Sequence, residues 1–230
     1  MPPLCATKSY STMFEVFKNK TPISNSSLKS ILNDLISPRV NKLGLQWDGN
    51  YMWFSNSENS IRRVLKYSLL KGEQGTFSWG VCFDFVPTIS GTKLNYHRTE
   101  RSVTLQLFEW TDEYANSFFG GQLADGVTSH WGIQTAKKSI HNLFKRYEKK
   151  IFDWFENNNN LDSLIQISDH QTKSGGIYKL NSPSPEYVLA FLLAKTSRIK
   201  EAISTFENIE HTIDPVIKNK IIMLLQKSSA

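Results

Sequence analysis

Large apolar residues alternate with smaller residues between Gly75 and Pro87. The odd-numbered positions carry Phe77, Trp79, Val81, Phe83 and Phe85. The even-numbered positions carry Thr76, Ser78, Gly80, Cys82 and Asp84. Because successive side chains of a strand point to opposite faces of its sheet, this period of two predicts a β-strand with one aromatic face and one small, mostly polar face. The aromatic face needs a cover, which helices elsewhere in the chain can provide.

Three further segments carry strand patterns. The turn signal Asp48-Gly49-Asn50 separates two aromatic-rich pieces and predicts a tight hairpin within residues 45–55. Residues 61–70 predict a second strand, which ends at a polar, glycine-containing turn. Residues 103–109 alternate again and predict the last strand of the sheet.

Helical periodicity predicts two long helices. Residues 24–43 place Leu and Ile at intervals of three and four, and Pro38 predicts a kink or a restart near Ser37, because an interior proline loses a backbone hydrogen bond. Residues 134–157 form the clearest helix, with apolar residues along one side and basic residues along another. From residue 183 onward the composition predicts shorter helices at residues 185–195, 199–208 and 215–227.

These elements predict an α+β fold. We expect an antiparallel sheet of four or five strands, covered on one face by the helices near residues 24–43 and 134–157, and followed by a small C-terminal helical unit. The chain then divides into a loosely ordered lead-in at 1–23, a sheet domain at 24–160, and a linker with a helical hairpin or three-helix unit at 161–230.

Composition limits the class of protein. Hydrophobic residues make up 40% and charged residues 21% of the 230 residues, which is ordinary for a globular protein. The net charge of +6 permits contact with nucleic acid, anionic lipid or an acidic protein and requires none of them. Cys5 and Cys82 are too far apart for a disulfide framework, and free thiols suit a reducing cytoplasm. No apolar run reaches the roughly 18 residues of a membrane span, and no signal-peptide pattern opens the chain.

Short apolar motifs in the sheet region resemble a known family. The motifs are Lys42–Leu45, Trp47 or Trp53, Ile61–Leu69 and Phe77–Val81. Together they resemble an uncharacterised bacterial family, domain of unknown function 4304, over residues 28–155. Leu45 stands where that family has a phenylalanine. The resemblance implies a leading helix followed by aromatic strands, and it implies no activity.

A polar loop between two predicted strands is the first candidate site. It contains His97, Arg98, Glu100 and Arg101. The two guanidinium groups suit an anion or carboxylate clamp, and His97 with Glu100 suits acid–base chemistry. The alternative, which the residue types favour, is a solvated loop whose charges pair locally.

A basic stripe on the predicted helix 134–157 is the second candidate site. Its members recur at steps of four: Lys137, His141, Lys145 and Lys149. Lys138, Arg146 and Lys150 lie beside them. Such a stripe suits a phosphate backbone or an acidic protein surface. The simpler alternative is the solvated side of an amphipathic helix.

Patterns that would predict an enzyme or a metal site are weak. The five histidines are dispersed, and the sequence contains neither a nucleophile elbow nor a phosphate-binding loop. Asp84 and Glu109 form a catalytic pair only if strand register brings their carboxylates together, and an exposed sheet carboxylate is the simpler alternative. Cys82 lies within a strand and lacks an identified base, which is typical of an inert thiol. We therefore predict no cofactor and no metal ion.

Three hypotheses for function follow. The first, which these observations favour, is a non-catalytic, protein-binding accessory protein of bacteria, of the kind that neutralises a toxin. It rests on the lack of a catalytic constellation, an open polar sheet face and the basic helix. The second is a nucleic-acid-binding module that uses the helix at residues 137–150. The third is an enzyme with a site between the 87–102 loop and the irregular stretch 111–133. The expected partner is an acidic protein or a nucleic acid, without membrane contact, and the oligomeric state is left open.

Overall fold

The computed structural model describes residues 21–96, 103–117, 126–209 and 213–227. Within them the chain combines an antiparallel sheet with helices and ends in a helical unit, which confirms the predicted α+β class. Residues 1–20 of the predicted lead-in lie outside the described residues.

The elements have the following bounds. The strands are β1 (Gln46–Trp47), β2 (Met52–Phe54), β3 (Ile61–Leu70), β4 (Gln74–Phe83), β5 (Thr88–Ser90), β6 (Lys93–Asn95), β7 (Leu107–Trp110) and β8 (Thr128–Ser129). The α-helices are α1 (Asn25–Val40), α2 (Asp112–Ser117), α3 (Ile133–Asn157), α4 (Leu161–Ser174), α5 (Pro185–Lys195), α6 (Ile199–Glu207) and α7 (Pro215–Lys227). Two 3₁₀ turns span Asn41–Leu43 and Gly176–Leu180.

Strand β4 is the centre of the sheet. The strand order is β1-β2-β3-β4-β7, the short β8 also pairs with β4, and β5 and β6 form a separate hairpin. Strand β3 pairs with β4 along its whole length, from Ile61 opposite Phe83 to Leu70 opposite Gln74. Gly80 lies opposite Phe108, and a Cβ atom at Gly80 would come within 2.0 Å of the Leu107 carbonyl oxygen. The close approach of β7 to β4 therefore requires glycine at this position.

Helices α1 and α3 cover one half of the predicted aromatic face. Trp53, Tyr67, Phe77 and Trp79 share a buried core with apolar residues of both helices, as the alternating pattern predicts. Arg39 of α1 donates two hydrogen bonds to the Glu148 carboxylate of α3, at 3.0 Å from Nε and 2.5 Å from Nη2. This contact fastens the two helices to each other.

The other half of the same face contacts the C-terminal helices. Val81 and Phe83 pack in a second core with residues of α4, α5, α6 and α7. Helix α5 is buried along nearly its whole length, from Pro185 to Ala194, because α4, α6 and α7 surround it. The aromatic strand therefore joins the two helical layers of the molecule.

The opposite face of β4 is not open, which corrects the prediction of an open polar face. Thr76, Ser78 and Cys82 are fully buried. This face is covered by Val103 and Leu105, from the segment that leads into β7, and by Phe108 of β7 itself. The small residues therefore mark a position where another chain segment packs closely, since large side chains would exclude that segment.

Several predicted boundaries need correction. Helix α1 runs unbroken through Pro38, so the helix does not restart near Ser37, and the alternative of a kink there stays a prediction. The last predicted strand begins at Leu107 rather than residue 103. The Gln106 side chain takes over part of the pairing there, accepting the Phe83 N–H at 2.6 Å and donating to the Val86 carbonyl at 2.8 Å.

Candidate functional site

Helix α3 presents the predicted basic stripe to solvent. Lys137, His141, Lys145 and Lys149 are all exposed. The opposite side of the helix is buried in the core under α1 and the sheet, through Ile140, Phe144, Tyr147 and Ile151. The helix extends over 25 residues without an interior glycine or proline, so its backbone holds the basic side chains on a rigid support.

Ion pairs neutralise the C-terminal half of this stripe. Lys149 pairs with Asp153 at 2.5 Å on the same helix. The flanking Arg146 and Lys150 pair with the acidic first turn of α2, at Glu113 and Asp112. The charges in this half are compensated within the molecule and contribute little net field to a partner.

The N-terminal half keeps its positive charge. Lys137, Lys138 and Lys145 have no carboxylate within 4 Å among the residues that the structure describes. His141 is exposed on the same side of the helix. The free cations thus form a short patch over about two helical turns, which we call the N-terminal basic patch.

Helix α2 is held in place by Tyr147 of α3. The Tyr147 hydroxyl accepts the Asp112 backbone N–H at 2.9 Å and donates to the Glu113 carboxylate. Both carboxylates therefore face the basic residues of α3. This arrangement depends on tertiary contacts across 34 and 35 residues of sequence, so the charge pattern of α3 alone overstates the basic surface.

The residues of the predicted anion clamp lie outside the described residues. These are His97, Arg98, Glu100 and Arg101. The described part of the same connection, residues 88–95, forms the β5–β6 hairpin.

The structure does not bring Asp84 and Glu109 together as a catalytic pair. Asp84 accepts hydrogen bonds from Arg62 at 3.0 Å and from Ser57 at 2.5 Å. Glu109 accepts from Tyr178 at 2.6 Å and from Gln171 at 3.0 Å. The two carboxylates therefore belong to separate structural contacts, one at the end of β3 and one between the sheet and the helical unit.

Cys82 is a buried, free thiol. Burial raises its pKa to about 11, so the thiolate is scarce at neutral pH. A nucleophilic cysteine requires the opposite shift, usually from a nearby cation or a helix N-terminus. The structure thus assigns Cys82 a packing role against the segment that leads into β7.

A buried polar cluster contains a histidine that the sequence patterns did not single out. The Tyr67 hydroxyl contacts Thr128 Oγ1 and lies 2.6 Å from His130 Nε2. Desolvation lowers the pKa of His130, and the nearby Glu73 partly opposes that shift. All three side chains are almost fully buried, so this cluster ties β8 to β3 and offers no open position to a substrate.

A cavity of about 310 Å³ lies beside β5. Its lining combines Thr88 and Ile89 with residues of the C-terminal half: Asn181, Ser182, Pro183, Ser184, Tyr187, Ile209 and Ile213. The enzyme hypothesis predicted a site between residues 87–102 and 111–133, whereas this cavity has no described lining residue from the second stretch. Its Tyr187 hydroxyl is buried without a hydrogen-bond partner in the described structure.

The described residues show neither a metal-binding cluster nor a membrane-spanning helix. Among the described residues, no group of three or more His, Cys, Asp or Glu side chains is arranged to hold a metal ion. None of the described helices has the length and apolar character to cross a membrane.

Comparisons with family models, with curated proteins and with solved structures find no match for this chain. The resemblance to the bacterial family of unknown function therefore stays a prediction.

Proposed function

We propose that the protein is a non-catalytic binding module whose N-terminal basic patch contacts an acidic protein. The observation that carries the proposal is the set of three exposed lysines, Lys137, Lys138 and Lys145, without a described carboxylate partner on a helix fixed by the core. Complementary charge of this kind accelerates encounter with an acidic surface and orients the two partners.

The size of the patch favours an acidic protein over a nucleic acid. Lys137 and Lys145 are eight residues apart, which corresponds to about 12 Å along a helix. A strongly bound nucleic acid commonly needs about six to ten phosphate contacts. The remaining basic residues of α3 are already paired with Asp112, Glu113 and Asp153, and those carboxylates would repel a continuing phosphate backbone.

The setting we infer is a reducing bacterial cytoplasm. The buried free thiol of Cys82 supports it, because such thiols persist where disulfides are kept reduced. A toxin with an acidic surface is one partner that this module could mask. Masking requires a stoichiometric complex and no chemical step, which agrees with the structural contacts that occupy Asp84 and Glu109.

The test compares two charge-reversed proteins in a pull-down from the native host. The first carries Lys137→Glu and Lys145→Glu. The matched control carries Lys220→Glu and Lys227→Glu, which make the same change in net charge on exposed positions of α7. We expect the wild type and the control to recover one acidic protein in stoichiometric amount, and the α3 variant to lose it.

Two outcomes would contradict the proposal. One is recovery of the same partner by the α3 variant, which would place the interface elsewhere. The other is tight binding of labelled RNA or DNA with a steep loss of affinity as salt rises, which is the signature of phosphate contacts. Thermal unfolding of each variant checks that the surface changes leave the fold intact.

A further inference from the structure

Four side chains form a row across the sheet on the face opposite to helices α1 and α3. Met52 of β2 lies opposite Lys66 of β3, Lys66 lies opposite Ser78 of β4, and Ser78 lies opposite Trp110 of β7. Side chains of directly opposed residues in antiparallel strands share one face and are close neighbours. The register therefore places a thioether, an ammonium group, a hydroxyl and an indole side by side.

A cavity of about 690 Å³ lies over this row. All four side chains of the row line it, and Tyr51, Leu105 and Phe108 add apolar walls. The Phe108 and Trp110 rings meet edge to face, with centroids 5.4 Å apart. The volume is in the range of pockets that hold small organic ligands, and the lining is mostly apolar and aromatic with a few polar groups.

Two polar atoms of the row are buried and have no hydrogen-bond partner among the described residues. They are Ser78 Oγ and Trp110 Nε1. Ser78 is fully buried, although a serine hydroxyl in such a position normally finds a partner. Both residues line the cavity from opposed positions of β4 and β7, and the hydroxyl and the indole N–H can each donate a hydrogen bond to an acceptor group of a ligand.

Lys66 adds a positive charge beside the two donors. It is exposed and has no carboxylate within 4 Å in the described structure. Glu109, which follows Phe108 on β7, is directed to other partners, since Tyr178 and Gln171 hold its carboxylate. No Asp or Glu of the described residues lines the cavity.

We propose that this cavity binds a small aromatic carboxylate. The carboxylate accepts hydrogen bonds from the Ser78 hydroxyl and the Trp110 indole N–H and faces the Lys66 ammonium. The ring of the ligand packs against the Phe108 ring, because aromatic rings attract each other edge to face. A phosphate dianion is a poorer fit, since Lys66 is the single cation among the described residues of the lining.

The binding test uses the full chain labelled with ¹⁵N and two matched probes, 2-naphthoate and the uncharged 2-naphthalenemethanol. The chain has six tryptophans, so the Trp110 indole resonance is assigned as the one lost in Trp110→Phe. We expect saturable binding of 2-naphthoate with a shift of that resonance. The alcohol should bind about tenfold more weakly, because it lacks the charged acceptor.

Three variants locate the carboxylate. Ser78→Ala should weaken 2-naphthoate binding about tenfold, since a hydrogen bond to a charged group is lost. Lys66→Gln should weaken it about threefold, the effect expected of an exposed cation. Lys71→Gln, in the exposed turn between β3 and β4, should leave the affinity unchanged. Because Lys66 is exposed, its variant keeps the test valid even if Ser78→Ala destabilises the fold.

Any of three binding results would overturn the proposal. These are the absence of saturable 2-naphthoate binding, equal affinity for the acid and the alcohol, and unchanged affinity in both Ser78→Ala and Lys66→Gln. Resonance shifts confined to the cavity beside β5, at Asn181 and Tyr187, would equally reject this site. Because the α3 surface takes no part in this test, its outcome is independent of the proposed protein partner.

Discussion

The Tyr67 hydroxyl and His130 Nε2 lie 2.6 Å apart, although 63 residues separate them in the sequence. Thr128 Oγ1 contacts the same hydroxyl and lies 3.1 Å from the Gly75 carbonyl. One arrangement of hydrogens satisfies all three contacts: His130 donates to Tyr67, Tyr67 donates to Thr128, and Thr128 donates to Gly75. Gly75 also makes room for the ring, because a Cβ atom there would come within 2.4 Å of the Tyr67 side chain.

Removing the Tyr67 hydroxyl should destabilise the protein. Tyr67→Phe leaves the His130 N–H and the Thr128 oxygen without their buried partner, which costs about 1–3 kcal/mol in the free energy of unfolding. Urea denaturation followed by tryptophan fluorescence measures the change. An unfolding free energy within 0.5 kcal/mol of the wild type, taken here as about the experimental uncertainty, would show that the cluster contributes no net stability.

Removing the Tyr187 hydroxyl should leave the stability of the protein unchanged or raise it. The Tyr187 side chain is as buried as Tyr67, but its hydroxyl has no hydrogen-bond partner in the described structure. Tyr187→Phe removes an unpaired polar group, so we expect stability to be unchanged or raised by about 1 kcal/mol. The same denaturation measurement applies. A clear loss of stability would mean that the hydroxyl has a partner in solution, such as a bound water molecule.

The burial of His130 should make stability depend on pH below about 6.5. Its pKa is lowered in the folded state, so the unfolded state binds more protons between the folded pKa and the ordinary histidine value of 6.5. The stability that depends on neutral His130 is present above pH 6.5 and is lost as the pH falls from 6.5 through the folded-state pKa. The midpoint of urea unfolding, measured between pH 5 and 8, should therefore fall with decreasing pH in the wild type.

Two histidine variants separate this effect from other titrations. His130→Gln should flatten the pH dependence, because no other side chain of the cluster titrates between pH 5 and 8. His141→Gln, at an exposed position of α3, should keep the wild-type slope. Parallel pH curves for the wild type and His130→Gln would disprove the assignment.

Alanine at Gly80 should break the pairing of β4 with β7. The new methyl group would lie 2.0 Å from the Leu107 carbonyl oxygen, so the strands must separate at a cost of about 3 kcal/mol or more. Gly72→Ala is the matched comparison, since its Cβ meets nothing within 4 Å and carries only the cost of a positive φ of 78°. That cost is about 1 kcal/mol. Equal thermal destabilisation in the two variants would contradict the close approach.

Local periodicity explains why most elements were predictable. The two sides of each of these elements meet different surroundings, as in β3, β4 and α3. Their sequences therefore carry a period of 2 in the strands and 3.6 in the helix. Helix α4 was missed because two of its buried positions are polar. Ser168 donates to the Pro185 carbonyl and Gln171 donates to the Phe108 carbonyl, which interrupts the apolar stripe. The Asn160 side chain, which accepts a hydrogen bond from the Ser163 N–H at 3.0 Å, is a sequence signal for the start of this helix.

The candidate sites were less predictable than the elements. The basic residues of α3 are visible in the sequence, but the pairing of Arg146 and Lys150 with α2 is not. Likewise, no sequence pattern links Lys66, Ser78 and Trp110. Only the register of β3, β4 and β7 places these three residues next to each other in the proposed site. Pairing across strands depends on the whole sheet, and no local pattern encodes it.

By itself, the amino-acid sequence determined the α+β class, the aromatic face of β4 and the solvent-facing stripe of α3, because hydrophobic periodicity is a local property of the chain. The tertiary structure alone decided which charges and which buried polar atoms have no partner among the described residues, and that the small side of β4 is covered. Those properties arise from contacts between residues that are distant in sequence, as between Tyr67 and His130 or between Ser78 and Trp110.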